Sequence, residues 1–136
     1  MSQFVWPVRV YYEDTDSGGV VYYANYLKFM ERARTECLRT MGFEQDKLRK
    51  EQGVLFAVHS VQVDFRRPAL FNDALEVSAE IHSYRRASLT FFQEIRRSGE
   101  TDVLCSGHIR IACVDAHSFK AVPIPESVRS ELTNVC

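Results

Sequence analysis

The sequence has no long apolar run and almost no net charge. Lys and Arg total 17 and Asp and Glu total 18, so the formal net charge is −1. Nucleic-acid-binding domains are usually strongly basic, so this balance argues against such a partner. No apolar run approaches the roughly 18 residues of a membrane-spanning helix. The first residues also lack the basic start and apolar stretch of a secretion signal, so we expect a cytoplasmic protein.

Neither a redox motif nor a metal motif is present. No C-x-x-C pair occurs among the four cysteines, which are Cys37, Cys105, Cys113 and Cys136. With no secretion signal, reduced thiols are expected. The histidines are scattered, and none shows the spacing of a metal-binding pair, so no metal is expected. Cys37 and His59 stand among apolar residues, and both are interpreted as core side chains.

The 136 residues predict a single domain, 1–136, without repeats or linkers. Apolar residues alternate from Phe4 to Tyr12 and predict a half-buried strand, with Tyr12 on its core side. A polar, glycine-containing loop follows. From about Ala24 to Met41, apolar residues recur at intervals of three, four or seven residues, which is typical of an amphipathic helix. Gly42 is suited to end that helix.

The second half of the chain predicts strands joined by tight turns. A short polar helix over about 44–52 precedes a long strand, Val54 to Arg67, whose alternation changes face near His59 and so indicates a bulge. Further strands are predicted over 75–82, 88–97 and 103–113, and the tail is predicted to be helical. Tight turns imply antiparallel pairing, so we expect an α+β fold in which one curved sheet packs against the long helix. The predicted elements leave the other face of the sheet with little to pack against, so we expect an oligomer.

Two carboxylates, Asp14 and Asp16, lie in the loop before the long helix. Free N–H groups and the helix dipole favour negative charge at a helix N-terminus. A carboxylate beside such a donor can attack a carbonyl or activate water, while the donor stabilises the oxyanion, as acyl transfer requires. Turn and cap roles for both residues stay open. A calcium loop is disfavoured, because Asn25 stands where that loop needs a bidentate Glu.

The run from Tyr11 to Leu27, with Glu31 to Glu36 after it, closely resembles the 4-hydroxybenzoyl-CoA thioesterase family. The branch that it looks most like is the YbgC-type acyl-CoA thioesterases associated with the Tol-Pal system. The resemblance extends over nearly the whole chain. It implies a hotdog fold, a long central helix wrapped by a curved antiparallel sheet of about five strands. It also implies homodimers or homotetramers with active sites between subunits.

The resemblance implies hydrolysis of acyl-CoA to a free acid and CoA. Asp16 matches the catalytic carboxylate, as nucleophile or as general base, and the backbone N–H of Tyr23 matches the group that polarises the thioester carbonyl. CoA is then part of the substrate, and no separate cofactor is expected. The chain departs from YbgC-type members at Tyr23, where they usually carry His; benzoyl-type members carry Tyr there, so the backbone role is retained.

Further site residues are predicted on the long helix or just before it. Tyr22 and Asn25 are candidates to line the substrate pocket, although Asn25 is equally suited to cap the helix. Glu31 is a rival nucleophile or base, because another branch of hotdog thioesterases uses a helix carboxylate. Its other interpretation is a solvated partner of Arg34 or Lys28.

Arg85, Arg86 and Ser88 match a stretch that contacts the CoA phosphates in benzoyl-type enzymes, and Arg is well suited to phosphate. A solvated hairpin turn is the other interpretation, and Arg66 and Arg67 are a second choice for the phosphates. A non-catalytic hotdog module that binds acyl carrier protein or an envelope-associated complex stays open as an alternative function. A hotdog dehydratase is disfavoured, because no His precedes the helix.

Overall fold

The computed structural model describes residues 3–135, so Cys136 lies outside the described residues. The chain begins with β1 (Phe4–Arg9), a single 3₁₀ turn (Tyr12–Asp14), α1 (Tyr23–Thr40) and α2 (Gln45–Gln52). The strands β2 (Val54–Phe65), β3 (Ala74–Tyr84), β4 (Ser88–Arg97) and β5 (Val103–Asp115) follow, and α3 (Glu126–Val135) ends the chain. All of the pairings are antiparallel, in the order β1-β3-β4-β5-β2. The α+β prediction is confirmed.

Helix α1 packs its apolar stripe on one face of this sheet. Its buried residues include Phe29, Met30, Ala33 and Leu38, at the helical spacing that the sequence shows. Burial of a side chain such as Phe29 contributes about 1.5–3 kcal/mol. Cys37 is buried as predicted, and burial raises its pKa to about 11, so the thiol stays protonated. The helix is thereby held against β3 and β1.

The first strand ends earlier than the alternation predicts. It stops at Arg9, and Tyr12 is 77% exposed, so its predicted core position is wrong. The cause is local: the Asp14 carboxylate accepts a hydrogen bond from the Tyr11 N–H at 2.8 Å, and the Thr15 N–H donates to the Tyr12 carbonyl at 3.1 Å. Short polar side chains compete with the strand ladder in this way.

The predicted bulge in β2 is confirmed, since the pairing register with β5 shifts between Val58 and Ser60. His59 lies at this shift and is exposed, so its interpretation as a core residue is wrong. A bulged residue leaves the in–out alternation, which is why its apolar neighbours mislead. Among residues 3–135, no helix has the length and apolar character to cross a membrane.

Candidate active site

The loop before α1 is a short hairpin tied to its surroundings by backbone hydrogen bonds. The Tyr22 N–H donates to the Asp14 carbonyl at 2.9 Å, and the Asp16 N–H donates to the Val20 carbonyl at 2.9 Å. The Gly19 N–H closes the tip by donating to the Asp16 carbonyl at 3.1 Å, and the φ angle of Gly19 is +82°. Glycine adopts such a positive φ at little cost. The loop therefore has a defined conformation.

Asp16 lies on the exposed side of this hairpin, opposite Val20. One carboxylate oxygen, Oδ1, accepts a hydrogen bond from the Gly18 N–H at 2.8 Å. Among residues 3–135, no Lys or Arg forms an ion pair with it. The backbone therefore holds the carboxylate through Oδ1, and no hydrogen bond to Oδ2 occurs among residues 3–135.

The N-terminus of α1 offers unsatisfied donors three residues beyond Val20. The N-cap is Tyr22, whose side chain makes no capping hydrogen bond, and the first turn of α1 has no acidic residue. The Asn25 N–H donates to the Tyr22 carbonyl at 2.9 Å. Within the described chain, no acceptor lies against the Tyr23 N–H, as expected for the first residue of a helix. The positive end of the helix dipole is thus open to a partial negative charge.

A cavity of about 260 Å³ borders this helix end. Its lining is mainly apolar and aromatic, with two arginines at the rim: Val21, Tyr23, Tyr26, Phe65, Arg66, Arg67 and Pro68. The Phe65 ring lies 6.2 Å from the Tyr23 ring and 5.5 Å from the Tyr26 ring, measured between centroids. The size and the lining of this cavity suit a small apolar or aromatic group.

Asn25 and Tyr26 hold the hairpin in place through hydrogen bonds. Asn25 is 8% exposed, and its Nδ2 donates to the Asp14 carbonyl at 2.9 Å, so it is neither the N-cap nor among the cavity residues. The Tyr26 hydroxyl accepts a hydrogen bond from the Ala69 N–H at 2.9 Å. The Ala69 carbonyl in turn accepts from the Val21 N–H at 2.9 Å. The hairpin is therefore held to α1 and to the β2–β3 connection.

Comparison with known proteins identifies the class of this site. Residues 10–132 match the thioesterase-like superfamily. The chain is a member of that superfamily. The acyl-CoA thioesterase YbgC of Haemophilus influenzae is 44% identical over 127 residues, which cover 93% of this chain and 92% of the relative. The acyl-CoA thioester hydrolase YbgC of Escherichia coli is 46% identical over 128 residues, 94% of each chain.

Solved structures agree with this assignment. A probable thioesterase from Bartonella henselae superposes with a TM-score of 0.85 at 31% identity, covering 91% of this chain and 100% of the other. A DHNA-CoA thioesterase from Staphylococcus aureus superposes with a TM-score of 0.91 at 21% identity, covering 99% of this chain and 91% of the other. This likeness shows the shared fold. The predicted hotdog fold is confirmed, and the chain is a thioester hydrolase.

Two other predicted residues of this thioesterase are exposed, one on α1 and one directly before it. Glu31 is exposed and accepts a hydrogen bond from the Thr35 hydroxyl at 3.3 Å, and no ion pair joins it to Lys28 or Arg34 within the described chain. Tyr22 is exposed next to Tyr23, with ring centroids 4.9 Å apart. The role of each in substrate binding stays a prediction.

The basic turn of the thioesterase, Arg85 and Arg86, lies far from the cavity within one chain. Phe65 lines the cavity and is aligned with Val77 of β3 across the paired strands. The basic turn follows Tyr84, where β3 ends. The seven residue-to-residue steps from Val77 to Tyr84 span about 23 Å at roughly 3.3 Å per step. A single chain therefore does not bring the predicted phosphate site and the predicted catalytic pair together.

The turn is nevertheless well built, through a residue that the sequence interpretation missed. The Arg129 side chain, from α3, donates to the Arg86 carbonyl at 2.9 Å and to the Arg85 carbonyl at 3.3 Å, and its guanidinium lies 5.7 Å from the Tyr84 ring centroid. Ser88 begins β4, and its carbonyl accepts from the Arg85 N–H at 2.7 Å. Arg85 and Arg86 are exposed, with no carboxylate paired to them among residues 3–135.

Proposed function

We propose that this thioesterase hydrolyses acyl-CoA to a free acid and CoA, with Asp16 and the Tyr23 N–H as its catalytic groups. One observation carries the proposal. A hairpin directly before α1 holds an exposed carboxylate, and Tyr23, the first residue of that helix, lines an apolar cavity whose lining residues do not include Asp16. The similarity to relatives named acyl-CoA thioesterases supports the substrate class.

The chemistry follows from the charges that develop during acyl transfer. The thioester carbonyl oxygen accepts a hydrogen bond from the Tyr23 N–H, and a backbone donor of this kind contributes about 10²–10³ in rate. Asp16 then attacks the carbonyl carbon, expels CoA thiolate and forms a mixed anhydride that water cleaves. Alternatively, Asp16 takes a proton from water, whose oxygen attacks the carbonyl. Thiolate is a good leaving group, so neither route needs a strong acid.

The nucleotide end of CoA is assigned to the turn at Arg85, Arg86 and Ser88. Two exposed guanidinium groups suit a phosphate, because their forked donors match its oxygens. Since the turn is about 23 Å from the cavity along β3, we assign the acyl end and the nucleotide end of one substrate to two copies of the chain. Arg66 and Arg67 remain the second choice, and they lie at the cavity rim.

The sheet offers one edge suited to pairing with a second copy. Edge strand β2 has 12 residues without proline, and its Val58, Val61 and Phe65 are exposed. The opposite edge, β1, is only six residues long and contains Pro7, which cannot donate to a further strand. We therefore propose a homodimer, or a tetramer built from such dimers, with β2 at the interface. Sedimentation velocity measures this assembly.

Asp16→Asn tests the catalytic assignment. Asparagine keeps an oxygen that can accept from the Gly18 N–H, so the hairpin is retained while the anion is lost. Release of free thiol is measured over short aliphatic, aromatic and long-chain acyl-CoA substrates. We expect kcat to fall at least about 100-fold on every substrate that the wild type hydrolyses. Asp46→Asn, at an exposed position in α2, is the matched control and should retain full activity.

Two outcomes would contradict the proposal. If Asp16→Asn turns over acyl-CoA at nearly the wild-type rate, the carboxylate is not catalytic. If the wild type binds acyl-CoA or acyl carrier protein without releasing thiol from any substrate, the non-catalytic alternative is correct.

A further inference from the structure

A buried amide on α1 is linked directly to the catalytic hairpin. Asn25 is the third residue of α1 and is almost completely buried. Its Nδ2 donates across 2.9 Å to the Asp14 carbonyl, which also accepts the Tyr22 N–H at 2.9 Å. One carbonyl therefore receives two donors, one from the helix side chain and one from the hairpin's own backbone.

Asp14 is also fixed through its side chain, because its Oδ2 accepts from the Tyr11 N–H at 2.8 Å. Asp14 is thus held at both its carbonyl and its carboxylate, two residues before Asp16. Thr15 pairs with Val21 across the hairpin. The direction in which the Asp16 side chain leaves the hairpin therefore depends on where Asp14 is held.

From these contacts we infer that Asn25 is a positioning residue of the proposed reaction. It sets the distance between the Asp16 carboxylate and the Tyr23 N–H by fixing the hairpin to the first turn of α1. The inference rests on the proposed function, and it replaces the pocket-lining role predicted for Asn25. Hydrogen bonds within the backbone hold the hairpin together, but the Asn25 amide ties it to the same helix turn that carries the Tyr23 N–H.

The expected consequence is a loss of rate and not of substrate affinity. Displacement of a catalytic group by about 1 Å costs on the order of 100-fold in rate. In Asn25→Ala, we expect kcat to fall about 10- to 100-fold while KM changes less than about two-fold. Asn25→Asp has nearly the same shape but presents an oxygen to the Asp14 carbonyl, so its kcat should fall at least as far.

Ser78→Ala is the matched control for lost stability alone. The Ser78 hydroxyl is buried in the sheet, where it accepts from the Glu94 N–H at 2.9 Å. Its removal costs a buried hydrogen bond, about 1–3 kcal/mol, without touching the hairpin. We expect Ser78→Ala to lower the melting temperature and to retain kcat at temperatures where it is folded.

Hydrogen exchange gives a second readout that does not require turnover. In Asn25→Ala, the amides of Asp16 and Tyr22 should exchange faster, while amides in the middle of α1 keep their protection. The inference is overturned if these loop amides keep wild-type exchange, or if kcat in Asn25→Ala falls no further than in Ser78→Ala. A wild type that hydrolyses no acyl-CoA would remove the proposed function, and the exchange result would still decide whether Asn25 holds the hairpin.

Discussion

The hydroxyl of Tyr26 provides the sharpest test of how the site is held together. It accepts a hydrogen bond from the Ala69 N–H at 2.9 Å, and both residues are almost completely buried. Tyr26→Phe keeps the ring, which contacts Phe29 and Phe65 at centroid distances of 6.4 Å and 5.5 Å. The substitution therefore removes the hydrogen bond and leaves the packing in place.

The magnitude follows from the N–H that is left without an acceptor. A buried donor that loses its partner costs about 1–3 kcal/mol of unfolding free energy. For a domain of this size, roughly 4 °C of melting temperature corresponds to 1 kcal/mol. We therefore expect Tyr26→Phe to melt about 4–12 °C below the wild type, measured by calorimetry, with the unfolding free energy obtained from urea titration.

We also expect the stabilisation by Tyr26 to decrease at alkaline pH. Burial raises the pKa of Tyr26 above its usual value of 10. A raised pKa in the folded state stabilises the fold fully below the unfolded pKa, and this contribution is lost as pH rises through the folded value. The stability difference between wild type and Tyr26→Phe should therefore shrink above about pH 10.

Tyr12→Phe is the control, because the Tyr12 ring is 77% exposed and its removed hydroxyl makes no hydrogen bond in the described structure. It should unfold within about 0.5 kcal/mol of the wild type. The reasoning is refuted if Tyr26→Phe is equally neutral, or if its stability difference from the wild type is the same at pH 7 and pH 11.

Two further substitutions test the core and the assembly. Within residues 3–135, the Gln93 Oε1 is the only hydrogen-bond acceptor of buried Arg34 (Nη1 to Oε1, 3.1 Å), and the Gln93 Nε2 donates to the Met30 carbonyl. Gln93→Leu removes both groups. We expect the substitution to lower the free energy of unfolding by roughly 2–4 kcal/mol, measured by denaturant titration. Adding Arg34→Met should recover part of that loss, and a double variant no more stable than the single one would contradict this. Val61→Glu places a charge at exposed β2 and should shift sedimentation towards monomer, whereas an unchanged coefficient would exclude β2 as the interface.

Local signals in the sequence were enough to predict most of the fold. Alternation with period two, the helical stripe and the turn residues depend on neighbours along the chain, so β4 and the start of α1 were predicted to within a residue. The β2 bulge was predicted because a shift in alternation is visible locally. The loop with Asp14 and Asp16 was found for the same reason, since polar and glycine residues stand directly before an apolar stripe.

Tertiary structure decided which distant groups meet. The partner of Asn25 is a backbone carbonyl eleven residues away, and that of the Tyr26 hydroxyl is 43 residues away. Neither contact can be predicted from the periodicity of the sequence, because both contacts depend on how the hairpin packs on α1. The exposure of His59 and the distance from Arg85 to the cavity depend likewise on strand register and strand length, which arise only once the sheet has formed.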